Sequence, residues 1–169
     1  MRKLDLRKNK MGVEGVKVLA ALFARNETLL DDIFLFHNGI SDEGVSHLAE
    51  ALKAYQGLKK LNLCQNEIGK EGAKALGSLL AVNESLEALD LNNNPLADDG
   101  AAFLVDSLSR NKSLLSISMW NTRITDRTAS LFIQLLQSSK NVTLRKINLH
   151  QNDISPPLLL QLKQLLPEN

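Results

Sequence analysis

Apolar residues recur along the chain in one phrase, leucine-x-x-leucine-x-leucine-x-x-asparagine-x-isoleucine. It stands nearly intact at Leu58, Leu61, Leu63, Asn66 and Ile68, and again at Leu86, Leu89, Leu91, Asn94 and Leu96. Earlier copies are Met1, Leu4, Leu6, Asn9, Met11 and Leu30, Ile33, Leu35, Asn38, Ile40. Later copies are Leu114, Ile117, Met119, Thr122, Ile124 and Leu144, Ile147, Leu149, Asn152, Ile154. The third apolar position falls at residues 6, 35, 63, 91, 119 and 149, so the steps are 29, 28, 28, 28 and 30 residues. A period in this range marks a solenoid, whose units must stack because none can bury its apolar face alone.

Within each copy, apolar and polar residues alternate, which predicts a short strand with the leucines turned inward. A helical period follows. Gly15, Gly44, Gly72 and Gly100 precede Leu19, Leu48, Leu76 and Leu104 by four residues, and Phe23, Leu52, Leu80 and Leu108 come four later, forming one stripe against the strand. Ser41 and Thr125 are expected as N-caps. Ser155-Pro156-Pro157 opens a last helix whose apolar run, Leu158–Leu166, lids the final unit before Pro167 stops it.

The chain is therefore read as a single α/β solenoid domain, residues 1–169, bent into a horseshoe arc of six strand–helix units (about 1–29, 30–57, 58–85, 86–113, 114–143 and 144–169). A parallel sheet lines the concave side and helices the convex side. Parallel sheets need helical cover on at least one face, and no residues remain to cover the other. At the turn after each strand a side-chain amide both donates and accepts, so Asn9, Asn38, Asn66, Asn94 and Asn152 are expected to stack as a ladder satisfying backbone groups. Because Met1, Leu4 and Leu6 already occupy strand-core positions, the N-terminal edge is expected to be a fragment boundary lacking further repeats, to self-associate, or to be covered by a partner.

The stretch Leu86-Glu-Ala-Leu-Asp-Leu-Asn-Asn-Asn94, followed by Asp98-Asp-Gly-Ala-Ala-Phe-Leu104 and Asn111, resembles the consensus of the ribonuclease-inhibitor-like class of leucine-rich repeats. That class includes ribonuclease inhibitor, the sensor regions of NOD-like receptors, the Ran GTPase-activating protein and the actin regulator tropomodulin. The resemblance implies protein binding on the concave face or its rim, and it selects no partner.

Composition narrows the functional classes. A formal charge of +1 lacks the broad basic surface of a polyanion binder, so nucleic acid is not the expected partner. A single cysteine, Cys64, rules out an intrachain disulfide framework and suits a reducing compartment, cytoplasmic or nuclear. No apolar run approaches the ~20 residues that span a bilayer. Four Asn-x-Ser/Thr sequons begin at Asn26, Asn83, Asn111 and Asn141, three at one repeat offset and the fourth displaced by the insertion; a structural origin explains them together. Charge alternates by unit, basic in the first and acidic in the second and fourth, and is read as neighbour compatibility rather than as a footprint.

The alternation also assigns the strand positions facing outward. The central row is Asp5, Phe34, Asn62, Asp90, Ser118 and Asn148. Beyond the second leucine lie Arg7, Phe36, Cys64, Asn92, Trp120 and His150, and the preceding row is Lys3, Asp32, Lys60, Ala88, Ser116 and Lys146. Three of seven aromatic residues, Phe34, Phe36 and Trp120, fall on this face. Buried aromatic anchors dominate protein interfaces. The candidate partner-binding set is thus Trp120, Phe36 and Phe34 as anchors, with His150, Asn92, Asp90, Asn62 and Asn148 supplying polar specificity; packing of the two phenylalanines on neighbouring residues is the plainer reading. The fifth unit is irregular beside Trp120: Thr122 replaces the turn asparagine, Thr128 replaces the glycine, and two extra residues enter within Ser138–Thr143. Function and terminal degeneration explain this equally well.

No catalytic constellation emerges, and no cofactor or metal is expected. His37, His47, His150 and Cys64 lie on different elements without metal-ligand spacing. Asp90, Ser118 and His150 fall on successive strands, but a triad needs histidine between acid and serine. The expected function is a non-enzymatic protein-interaction module. The alternative, a GTPase activator resembling the Ran regulator, would need a positioned arginine such as Arg7. A ribonuclease-inhibitor-like role fits poorly with one cysteine and a slight positive charge.

Overall fold

The computed structural model describes residues 2–25, 29–138, 141 and 143–167. Six strands form one parallel sheet in sequence order: β1 (Lys3–Asp5), β2 (Asp32–Phe34), β3 (Lys60–Asn62), β4 (Ala88–Asp90), β5 (Ser116–Ser118) and β6 (Lys146–Asn148). The register follows the phrase, with Leu4, Ile33, Leu61, Leu89, Ile117 and Ile147 side by side across the sheet. Six helices alternate with the strands: α1 (Gly12–Ala24), α2 (Ser41–Ala54), α3 (Lys70–Leu80), α4 (Ala97–Leu108), α5 (Asp126–Gln137) and α6 (Pro156–Leu165). The predicted helix stripe is the buried one, and its leucines join the strand leucines in a single core. At the first unit Leu4, Leu6 and Met11 pack on that core but are only partly buried. Met1 and the sequon at Asn26 lie outside the described residues, as does part of the Ser138–Thr143 insertion.

Three side-chain ladders join the units. In the first, each turn asparagine donates to the carbonyl of the preceding strand and accepts from backbone N–H groups of that same preceding unit. Asn38 Nδ2 donates to Leu6 and Leu35 oxygens at 2.9 Å, and its Oδ1 accepts from the Asn9 and Met11 N–H groups. Asn66 and Asn94 repeat this, and Asn152 does so for the fifth unit. Asn9 stands at the end of the ladder and donates instead to the Arg7 carbonyl.

The second ladder explains the sequons. Asn83, Asn111 and Asn141 are buried at the helix-to-strand turns, donating to Leu52, Leu80 and Leu108 oxygens at helix ends one unit back. Their Oδ1 atoms accept from the N–H groups of Leu86, Leu114 and Leu144. In the second unit Tyr55 takes this place, its hydroxyl donating to the Leu30 oxygen at 2.8 Å and its ring lying 5.1 Å from Phe23. Asparagine recurs here because the turn needs donor and acceptor in one side chain.

The third ladder was not legible in the phrase. An aspartate in the first turn of one helix accepts from the backbone where the next helix begins: Asp42 from Gly69 N–H at 2.6 Å and Asp126 from Ser155 N–H at 2.6 Å. Asp98 accepts from the Thr125 and Thr128 hydroxyls at 2.7 and 2.6 Å and from both their N–H groups. This corrects two expected caps. Ser41 makes no side-chain cap bond and sits at φ +59°, and Ser155 holds the N-cap place of α6 without making the bond itself. Thr125 does cap α5, accepting from the Arg127 N–H. Charges of neighbouring units pair across the same seams, as in Lys17–Glu43, Lys59–Glu87 and Arg127–Asp99.

The fifth-unit irregularities have structural explanations. Thr122 is fully buried, its hydroxyl donating to the Met119 oxygen at 2.8 Å and its N–H to Asn152. A hydroxyl has one proton, so the bond a turn asparagine would make to the Leu91 oxygen is not replaced. Thr128 stands where Gly72 elsewhere leaves no room; a Cβ on Gly72 would meet Asp42 Oδ1 at 2.6 Å. With a side chain at this place α5 packs less closely on α4 than the earlier helices pack on one another.

Two stability effects follow. Burial pushes the Asp98 carboxyl up, but the bonds from Thr128 and Thr125 outweigh it and hold the carboxyl below its ordinary value. A depressed folded-state pKa gives stability that is present above the unfolded value and lost as pH falls through the folded one. Asp98→Asn is therefore expected to lose about 1–2 kcal/mol at neutral pH, a deficit that shrinks towards about pH 3. Urea unfolding at both pH values measures it; a pH-independent deficit would contradict the charge argument. Separately, Glu67 is exposed with φ +60°. Relief of left-handed strain outweighs glycine's added unfolded-state entropy, so Glu67→Gly should stabilise by up to about 1 kcal/mol, seen as a rise in Tm.

Candidate protein-binding face

Strand alternation places Phe34, Asn62, Asp90, Ser118 and Asn148 in one row across the sheet, in register and partly exposed. Phe36, Cys64, Asn92 and Trp120 are also half-buried two residues on, and His150 is exposed. Asp32 departs from the expected outward row. It is 1 % exposed, its oxygens have no hydrogen-bond partner, and Lys3 lies 3.7 Å away.

Polar groups on this face form a connected network. Asn62 Nδ2 donates to Asp90 Oδ2 at 2.8 Å, while the Asn92 N–H donates to Asp90 Oδ1 at 3.0 Å. Asn92 Oδ1 in turn accepts from Ser118 Oγ and from the Trp120 N–H, both at 2.7 Å. Asn148 Nδ2 donates to Ser118 Oγ at 3.1 Å. The third to sixth units thus present a pre-ordered polar floor, which lowers the ordering entropy lost on binding. The Trp120 carbonyl accepts from the Asn93 N–H at 2.9 Å, so its backbone is held at both polar groups.

The phenylalanines are partly occupied. Arg7 lies over Phe34 at 5.9 Å and Lys8 over Phe36 at 5.6 Å, so cations of the first unit cover some of each ring. Trp120 shares the face but not this cluster. Arg7 is itself engaged, donating through Nε to both Asp5 oxygens at 2.8 and 3.0 Å, and this bond holds the Asp5 carboxyl below its usual value.

Chemistry on this face is limited. Ser118 donates its proton to Asn92, so Asp90, Ser118 and His150 form no relay. Burial pushes the Cys64 thiol up, leaving it protonated and weakly nucleophilic at neutral pH. Among the described residues no group of three or more His, Cys, Asp or Glu side chains could hold a metal ion, and no helix is long and apolar enough to cross a membrane.

One feature escaped the sequence reading. A groove of about 630 Å³ runs along the rim above the asparagine ladder, lined by Lys10, His37, Gln65, Glu67, Asn93 and Arg123. Its signal was the polar residues directly flanking each ladder asparagine, positions that a strand-period reading treats only as turn.

The leucine-rich-repeat family profile matches residues 1–20, 35–49, 57–77 and 82–105. No curated protein sequence gives a significant match. Among solved structures, the leiomodin-1 actin-binding site 2 superposes with a TM-score of 0.79 at 21 % identity, covering 87 % of this chain and 84 % of that one. The tropomodulin C-terminal domain of Caenorhabditis elegans does so with a TM-score of 0.72 at 18 % identity, covering 89 % and 90 %. At these identities the likeness concerns the fold. Taken with six in-register copies of the leucine–asparagine phrase, these matches establish that the chain is a leucine-rich-repeat protein.

Proposed function

We propose that the chain is a non-enzymatic protein-interaction module that takes a protein partner on its concave sheet, in the cytoplasm or nucleus. The observation that carries this reading is the juxtaposition of half-exposed Trp120, Phe36 and Phe34 with the hydrogen-bonded floor of Asn62, Asp90, Asn92 and Asn148. His150 borders this floor at the last strand. The aromatics supply apolar anchors and the fixed amides supply directional contacts, a combination suited to a folded protein surface or an extended segment.

The structural neighbour described as an actin-binding site makes actin the first partner to test. Co-sedimentation with actin filaments and gel filtration with actin monomers test it directly. The GTPase-activating alternative requires a free arginine or a group that orders the GTPase. Arg7, the arginine of the concave rows, is tied to Asp5. GTP hydrolysis by candidate small GTPases should be unchanged by added protein; stimulated turnover would overturn the non-enzymatic reading. Affinity capture that is indifferent to Trp120→Ala and Phe36→Ala would remove the concave face from consideration.

A further inference from the structure

Three aspartates lie in the outward rows of the sheet, and two have cations. Asp5 is bonded to Arg7, and Asp32 lies 3.7 Å from Lys3. Asp90 forms no salt bridge among the described residues, and its oxygens are held by amides alone. The bond from the N–H two residues on recurs where the residue is neutral: Asn62 accepts from the Cys64 N–H and Asn148 from the His150 N–H. An asparagine therefore does the backbone's work in the third and sixth units, and the turn bond does not require the negative charge of Asp90. Partial burial makes that charge costly, since desolvation disfavours the ionised form. A charge that the turn does not use, set between aromatics on an open face, marks electrostatic complementarity to something that docks there.

We propose that Asp90 is the receptor for one lysine or arginine side chain of the protein partner, whose apolar neighbours seat on Trp120 and Phe36. This rests on the concave-face reading above. Lys60 and Lys146, exposed at the outer row of the sheet, select against a polybasic segment, so a single cation flanked by apolar residues is the matching chemistry. Phe36 and Trp120 belong to the second and fifth units, three strand spacings or about 14 Å apart. An extended stretch of about five residues spans that distance, with the basic residue inside it.

The test uses the whole chain and a phage-displayed library of random twelve-residue peptides as probe. Peptides enriched on the wild type should carry lysine or arginine between apolar residues. Their affinity should fall at least about ten-fold on Asp90→Asn, which keeps the turn bond from the Asn92 N–H but gives up the bond from Asn62 Nδ2. Its melting curve is therefore recorded beside the binding data, and a cooperative transition within a few degrees of wild type shows that the fold is kept. Trp120→Ala should weaken the same peptides. Enriched peptides without a basic residue, or peptides lost on Trp120→Ala yet bound equally by Asp90→Asn, would overturn the Asp90 role and leave the concave-face reading standing. Peptides indifferent to both substitutions, or no enrichment on the wild type, would overturn both.

Discussion

Asn94→Ala is expected to lower the free energy of unfolding by about 3–5 kcal/mol, more than truncation of any other polar side chain of the ladder. Asn94 is 1 % exposed. Its Oδ1 accepts from the Asn66 and Ile68 N–H groups at 2.9 and 3.0 Å, and its Nδ2 donates to the Leu63 and Leu91 oxygens at 2.9 Å. Alanine removes all four partners and leaves buried backbone groups unsatisfied, each costing about 1–3 kcal/mol before water and relaxation recover part of it. Three of these bonds cross to the third unit, so the loss falls on the seam between the third and fourth units. Because solenoid stability is a sum of unit and nearest-neighbour terms, the unfolding transition should also broaden as the two halves uncouple. Asn152→Ala, at a partly exposed ladder end, should cost less. Urea unfolding followed by circular dichroism compares the three chains. A loss below about 1 kcal/mol for Asn94→Ala would mean that the turn-asparagine ladder adds little to apolar stacking and the other bonds between units.

Trp120→Ala is expected to weaken partner binding by about 2 kcal/mol or more, roughly thirty-fold, while leaving Tm nearly unchanged. The asymmetry follows from the environment of the ring. Trp120 is half-buried and outside the core cluster, whereas its neighbours Met119 and Ile117 are fully buried within it. Its backbone is held by Asn92 and Asn93 whichever side chain follows. Truncation therefore removes contact area for a partner without opening a core cavity. Calorimetric titration or surface capture with the identified partner measures the first quantity, and thermal unfolding the second. A folding defect would assign Trp120 to stability, and unchanged affinity would move the interface elsewhere, with the rim groove beside Lys10, Glu67 and Arg123 as the next place to probe.

The phrase places all six strands within the copies that predict them, because the period of two and the fixed repeat step leave one register that turns the leucines of the phrase into the core. The turn asparagines were legible for the same reason: a repeated amide at a turn has few other physical uses. The shared offset of the sequons points to a structural role, and Asn83, Asn111 and Asn141 form a ladder of their own. The aspartate clamps were not legible. Asp42, Asp98 and Asp126 read as ordinary first-turn acids, and only the approach of the next unit turns their carboxylates onto a neighbour's backbone. Ser41 failed as a cap because its backbone takes a left-handed conformation imposed by the turn, which no composition rule anticipates. Thr122 and Thr128, open to a functional reading in sequence, are absorbed into inter-unit bonds.

By itself the sequence determined the architecture of this protein and which side chains face out of it, since both follow from local periodicity and the need of each unit to bury its leucines against the next. The tertiary structure alone decided the state of those outward residues. Arg7 is spent on Asp5, the phenylalanines lie under cations of the first unit, and Asp32 is buried despite its outward row. Asp90 is held by amides and has no cation beside it among the described residues. The physical reason is that pairing and burial between residues 28 or 29 positions apart depend on distances of a few ångströms across the sheet, which a one-dimensional pattern does not contain.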